Sequence, residues 1–222
     1  IRQSRIVPVK DPVQMGESAA KLAAEGYAQL KLKLTGDMAT DVQRVACVRD
    51  AVGGSVLLTL DPNQAYNAKT MMTAFARMER CDIALIEQPV PADDWAGLKL
   101  LTQSLPAIEA DESAQTVQDV YRLVSDRVVD VVNLKVTKLG GLLRFTQAAA
   151  ICQAGGVVTR VGAAFGPALM QAFAAHAAST LRALPFACEL AEHQHLLDDP
   201  FEELPVNGGL IRVPVSAGCG VQ

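Results

Sequence analysis

Three acids close three short apolar runs: Asp61 ends LLTLD, Glu87 ends IALIE and Asp111 ends PAIEAD. Two lysines alternate in QLKLKL, Lys31 and Lys33, and a third, Lys135, sits in VVNLKVTKLGG. From Lys33 onward the intervals to Asp61, Glu87, Asp111 and Lys135 are 28, 26, 24 and 24 residues. Each is close to one βα unit, so the charges fall at the same height in successive units. Three carboxylates gathered in one low-dielectric mouth repel one another unless a cation neutralises them. Oxygen ligands with no neighbouring Cys or His favour Mg²⁺, with Mn²⁺ as the alternative, over Zn²⁺. Asp61, Glu87 and Asp111 are therefore candidate ligands of a hard divalent ion.

The lysines complete the chemistry. Side chains alternate along a strand, which puts Lys31 and Lys33 on one face and Leu30, Leu32 and Leu34 on the other. If the leucines pack against helices, both amines point inward, with Lys135 on the opposite side. A lysine desolvated near a cation loses basicity and becomes a base near neutral pH. A metal chelating a substrate carboxylate favours loss of the α-proton, because negative charge develops where positive charge already waits. Lysines on opposite faces of the planar product then remove the proton from one side and return it on the other, which inverts a stereocentre.

Something must hold these groups together, and the chain supplies a repeating pattern for it. Short β-rich apolar runs alternate with longer stretches of helical period, the mark of βαβ units around a parallel sheet. The candidate strands are Arg5–Val9, Gln29–Leu34, Ser55–Asp61, Ile83–Glu87, Ala107–Asp111, Val128–Lys135, Val157–Val161 and Phe186–Glu189. Between them the helical stretches are Ser18–Glu25, Thr40–Val52, Ala68–Arg80, Asp94–Gln103, Thr116–Ser125, Leu142–Ala154 and Pro167–Leu181. Strands and helices in this alternation predict a closed α/β barrel, with an open doubly wound sheet as the alternative; in the barrel the reacting groups sit at the C-terminal ends of the strands. The tail after Glu189 reads as a wrap-around extension that finishes in an extended segment.

Composition narrows the partners. The net charge of −4 argues against a nucleic acid or an anionic membrane surface, leaving a small molecule as the expected ligand. Five scattered cysteines without a CxxC pair predict reduced, mostly buried thiols of a cytoplasmic protein. No apolar run approaches the roughly 20 residues that span a bilayer.

Taken together, KLKL, DPNQ, IEQP, ADES and NLKVTKLGG, in that order, resemble the enolase superfamily, specifically its muconate lactonizing enzyme subgroup. The resemblance runs from Val7 to Val221 and includes the closing NGGLIRVPVSAGCGV. It implies a modified TIM barrel of (β/α)7β type with Mg²⁺ on Asp61, Glu87 and Asp111. It also implies Lys33 and Lys135 as the acid/base pair, with Lys31 supporting the substrate carboxylate and tuning its neighbour. Asn63, Gln88 and Asn133 occupy accompanying positions, as groups that brace the ligands. Two departures stand out. Members of the family begin with an α+β capping domain, whereas this chain of 222 residues starts just before the first barrel strand. The expectation is a catalytic barrel domain over 1–222 whose cap a longer chain supplies, or else an unusually open site. Many relatives also carry a glutamate after the seventh strand, where this chain has Gly166 in VGAAFGPAL.

The resulting expectation is a metal-dependent racemase or epimerase of an amino-acid derivative: a dipeptide, an N-acyl amino acid or a proline-type imino acid. The same constellation supports dehydration of a hydroxy acid such as a hydroxyproline, or a muconate-type cycloisomerisation. A catalytically silent binding barrel is the non-enzymatic alternative. A homo-oligomer is expected. Among other residues, His193 and His195 read as an exposed, incidental pair in a polar tail, Gly140-Gly141 as a close turn, and Trp95 as a packing residue.

Overall fold

The computed structural model describes residues 1–162, 164–202 and 204–221; Ala163, Glu203 and Gln222 lie outside the described residues. Seven parallel strands follow one another in chain order: β1 (Arg5–Val7), β2 (Gln29–Lys33), β3 (Leu57–Asp61), β4 (Ile83–Glu87), β5 (Ala107–Ala110), β6 (Val131–Leu134) and β7 (Val158–Val161). Period-two alternation sorts their side chains. Leu30, Leu32, Leu58, Leu60, Ile86, Ile108, Val132 and Leu134 are buried in the apolar core with residues of the helices. The alternate positions, among them Lys31, Thr59, Asp61, Glu87, Glu109, Asn133 and Arg160, are buried polar groups that face the barrel interior.

The eighth predicted strand, Phe186–Glu189, shrinks to isolated bridges, and these close the ring. Cys188 pairs with Gln3 beside β1, and Glu189 pairs with Gly162 just beyond β7. Hydrogen bonds from Ser4 N to Cys188 O (2.7 Å) and from Glu189 N to Val161 O (3.0 Å) fasten the two edges. The architecture is thus the predicted (β/α)7β barrel, with a short closing segment.

Helices α1 (Pro12–Ala24), α2 (Met38–Val52), α3 (Ala68–Met78), α4 (Trp95–Thr102), α5 (Val117–Ser125), α6 (Val136–Leu139), α7 (Leu142–Gly155) and α8 (Ala168–Ser179) connect the strands. Their starts follow local capping chemistry. The Thr116 hydroxyl accepts from Asp119 N while the Asp119 carboxylate accepts from Thr116 N, which sets the first turn of α5. The first helix begins well before the predicted Ser18, because Asp11 caps it by accepting from Gln14 N and Pro12 occupies the first turn. Gly16 is no breaker: a Cβ there would stand 3.0 Å from Cys47 O, so its small size lets α1 lie close on α2.

Other differences are instructive. Strand β6 stops at Leu134, and Lys135 keeps an extended backbone (φ −118°, ψ 126°) as it caps the single turn α6, which the sequence pattern did not predict. The tail forms a hairpin, β8 (Val206–Asn207) with β9 (Leu210–Ile211), instead of ending as one extended segment; Leu210 also bridges to Arg2. His193 is not exposed: it is buried in a 3₁₀ turn (Glu192–His195), its Nε2 3.0 Å from Leu204 O. Trp95 opens α4 with Nε1 donating to Ala92 O and the Arg122 guanidinium 4.9 Å above its ring. Cys81, Cys152 and Cys188 are buried free thiols, while Cys47 and Cys219 are free and half-buried. Among the described residues no helix is long and apolar enough to cross a membrane.

Candidate active site

The strand-end charges converge where the alternation places them. Lys33 stands directly opposite Asp61 in the β2–β3 register. Its Nζ donates to Asp61 Oδ2 and to Asn63 Oδ1, both at 2.6 Å. One turn of the pleat deeper, Lys31 Nζ donates to Glu189 Oε2 (2.6 Å) and Glu87 Oε2 (3.0 Å) and forms an ion pair with Asp61 Oδ2 (3.1 Å), so three carboxylates surround it. On the other side Lys135 Nζ lies 2.5 Å from Asp111 Oδ2, and Lys138 Nζ lies 2.7 Å from Asp111 Oδ1. Lys31, Lys33, Asp61, Asn63, Asp111, Lys135, Lys138 and Glu189, with Ile6, Phe165 and Glu192, border one cavity of about 550 Å³ at the barrel mouth, while Glu87 is buried and does not line it. A larger open groove of about 1200 Å³, beside Trp95 and Arg122 on the outer surface, holds none of the three lysines or three acids singled out from the sequence.

The loops that carry the acids are braced. Asn63, Gln64 and Gln88 adopt left-handed backbones (φ 46°, 69° and 38°), a cost accepted where side chains must be aimed. Gln88 is fully buried; its Oε1 accepts from Asp111 N (3.0 Å) and Ser113 N (3.1 Å), which fixes the chain at Asp111. Asn63 N donates to Asp61 Oδ1 at 3.0 Å, and Asn133 Nδ2 donates to Glu87 Oε1 at 2.9 Å. All three accompanying residues therefore touch an acid or the backbone that carries it.

Burial and mutual charge set the ionisation. Burial would raise the Glu87 carboxyl, but Lys31, Arg160 and Lys135 hold it well below the ordinary carboxylate range. Burial, then repulsion from Glu87, keep Asp61 above its usual value despite Lys31 and Lys33. At Asp111 burial and Glu87 push up, yet Lys138 and Lys135 win and bring it down. Burial draws Lys135 down, but Asp111 and Glu87 outweigh it, so its ammonium is held more firmly than an ordinary lysine's. That is opposite to the lowered basicity expected from its sequence position. Lys138 is the amine that burial does lower.

Sequence reasoning missed four partners: Glu109, Lys138, Arg160 and Glu189. Glu109 and Arg160 are completely buried; Arg160 Nη1 donates to Glu87 Oε2 and Glu109 Oε2, and Nη2 to Glu189 Oε1. Lys138 Nζ also donates to Asp111 O and Asn133 O, both at 2.8 Å. The alternation that revealed Lys31 and Lys33 places Glu109 on the same face as Asp111; applied there, it would have found Glu109.

The carboxylates of Asp61, Glu87 and Asp111 are hard oxygen donors, and Glu87 electrostatically opposes the ionisation of the other two. That donor chemistry fits a divalent cation. As placed, however, the lysine ammoniums take the acid oxygens, and no three Asp, Glu, His or Cys side chains among the described residues stand as a metal-holding group.

Residues 14–222 match the family model described as enolase C-terminal domain-like. The chain is 34% identical over 220 residues to the L-Ala-D/L-Glu epimerase of Bacillus subtilis, covering 97% of this chain and 60% of that protein. It is 32% identical over 203 residues to a chloromuconate cycloisomerase of Cupriavidus necator, covering 90% and 55%. The structure of a dipeptide epimerase from Enterococcus faecalis, complexed with Mg and the dipeptide L-Leu-L-Tyr, superposes with a TM-score of 0.95 at 29% identity, over 100% of this chain and 63% of that one. The chain thus spans about 60% of the length of these relatives.

Proposed function

We infer that this chain, which belongs to the enolase C-terminal domain-like family, carries the proton-transfer site of an epimerase acting at the carbon next to a carboxylate, with a dipeptide or related amino-acid derivative as substrate. One observation carries the reading. Lys33 and Lys135 extend from the second and sixth walls of an eight-walled ring, on opposite sides, and border the same cavity.

Lys33 and Lys135 are both partly open to solvent, with side chains 26% and 20% exposed, as groups that meet a substrate must be. Lys31 is buried under three carboxylates and keeps them in place. Lys138, its N–H groups directed at Asp111 and the Asn133 carbonyl, fixes Asp111 and leaves the proton to Lys135. Asp61, Glu87 and Asp111 would hold a Mg²⁺ ion, with Mn²⁺ as substitute, supplying fixed positive charge opposite the charge that grows on the carboxylate as the α-proton leaves. Asn63, Gln88 and Asn133 brace those acids. A longer chain supplies the cap that closes the mouth over a small carboxylate substrate, and the protein works as a homo-oligomer.

The test is a panel of dipeptides, N-acyl amino acids and proline-type imino acids incubated with Mg²⁺ in deuterated water. Solvent deuterium at the α-carbon, together with formation of both stereoisomers, supports epimerisation. A second reading, cycloisomerisation, is favoured by the cycloisomerase relative that covers 90% of this chain; conversion of a muconate without α-exchange of any dipeptide selects it. Loss of water from a hydroxyproline would select a dehydratase. Binding without turnover of any substrate, in protein carrying its cap, would leave a silent barrel and overturn the reading.

A further inference from the structure

Beneath the mouth lies a cation that the proton transfer does not use. Arg160, on β7, is fully buried. Its Nε donates to Ala187 O (3.0 Å), Nη1 to Glu87 Oε2 and Glu109 Oε2 (both 2.9 Å), and Nη2 to Glu189 Oε1 (2.6 Å). The partners belong to β4, β5 and the closing segment, so one planar group ties three walls of the barrel to a fourth.

A guanidinium can do this because its donors are set in a rigid fork; an ammonium is a single point. Stability alone is a weak reason for such an arrangement, since buried ion pairs are often replaceable by apolar side chains without loss. What the fork does is local to Glu87. Glu87 Oε1 is held by Asn133 Nδ2, and Oε2 lies between Lys31 Nζ at 3.0 Å and Arg160 Nη1 at 2.9 Å. Lys31 is a shared tether, because Asp61 and Glu189 claim it as well. Arg160 also serves Glu109 and Glu189, but its planar fork gives its donors fixed directions and its Nε is anchored on Ala187 O. Without it, Glu87 Oε2 depends on an amine with two other partners.

We propose that Arg160 is a positioning residue that holds Glu87 in one orientation at the end of β4 and so presets the carboxylate set for a divalent ion. This rests on the reading above that Glu87 is a metal ligand. Outer groups of this kind typically change metal affinity by about 10–100-fold.

The test is Mn²⁺ binding, followed by the electron paramagnetic resonance of free Mn²⁺, in the native protein, in R160K and in R160M/E109M, each checked by thermal melting. R160K keeps the charge and loses the fork; about tenfold or greater weakening of Mn²⁺ binding is expected. R160M/E109M replaces a buried charged pair by apolar chains of similar length, so it keeps the fold testable should R160K fail to fold. The same weakening is expected there. A folded R160K or R160M/E109M that binds Mn²⁺ as tightly as the native protein overturns the proposal. Native protein that binds no Mn²⁺ removes instead the metal reading on which it rests, and the two failures are told apart by that one control.

Discussion

Lys135 and Lys138 grip one carboxylate from two sides, at 2.5 Å from Asp111 Oδ2 and 2.7 Å from Asp111 Oδ1. The two amines are not equivalent. Lys138 is 9% exposed and also bound to two backbone carbonyls, whereas Lys135 is 20% exposed and among the described residues hydrogen-bonds to Asp111 alone. Lys138→Met is expected to lower kcat and weaken Mg²⁺ binding, each by about 10–100-fold, because Asp111 then loses its orientation. Steady-state kinetics over a Mg²⁺ series checks this; a variant altered only in KM for the substrate would contradict the assignment.

If the lysines serve opposite faces, each should be indispensable for one stereoisomer. Lys135→Met is expected to abolish α-proton exchange of one isomer, by about 10²–10⁴-fold, while exchange of its mirror partner through Lys33 survives. Lys33→Met should show the reverse preference. Proton NMR of each isomer in deuterated water reads the outcome directly, and equal losses for both isomers in both variants would speak against paired bases.

Gly162, at the end of the seventh wall, leaves room for both Asn133 and Lys135. A Cβ at this position would stand 2.6 Å from Asn133 Oδ1 and 3.1 Å from Lys135 Cε. Gly162→Ala should therefore displace the Lys135 amine and, with Lys135 as the proposed base, lower kcat by roughly 10²-fold, the usual effect of about 1 Å of misplacement. Kinetics equal to the native protein's would show that the neighbours give way freely.

Chelation should silence the proton exchange, and added Mg²⁺ or Mn²⁺ should restore it, since hard oxygen donors favour both ions. Saturation at about 100 times the dissociation constant should also stabilise the folded state by about 2.7 kcal/mol. Thermal melts with and without chelator measure this, and full activity in the presence of excess chelator would dismiss the divalent ion.

The loop after β2 has its own latch. Asp41 is fully buried and accepts from Thr35 N, Gly36 N, Arg44 Nη1 and Tyr66 Oη. Burial, then the bond and charge of Asp41, raise the Tyr66 hydroxyl above its ordinary 10.0. A raised acid is stabilising while neutral: the contribution is complete below pH 10.0 and is lost as pH rises toward the folded value. Tyr66→Phe should accordingly show a shallower loss of stability above pH 10.0 in urea titrations, and an unchanged alkaline slope would refute the linkage.

How much of this was legible beforehand divides along physical lines. Period-two alternation and the near-constant interval between charges were enough to bring Lys31, Lys33, Asp61, Asp111 and Lys135 to one mouth, with Glu87 buried against Lys31, because strand geometry depends on neighbours in sequence. Arg160 was not legible in VVTRV, since a short strand does not reveal which of its faces is inward, and its partners lie up to 73 residues away. Lys138 was not legible as a partner of Asp111 because α6 was not foreseen; the turn after Lys135 is what swings it back to Asp111. The closing strand was located correctly but its ladder overestimated, as only Cys188 and Glu189 pair.

That short closing segment joins two tasks in one residue. The backbone N–H of Glu189 stitches the seam to Val161, while its side chain holds Lys31 on one oxygen and Arg160 on the other. Any opening of the ring at this joint therefore also strips both interior cations of a counter-charge. Mechanical integrity and electrical order fail together there, and neither can be relaxed by evolution or by design without retuning its companion.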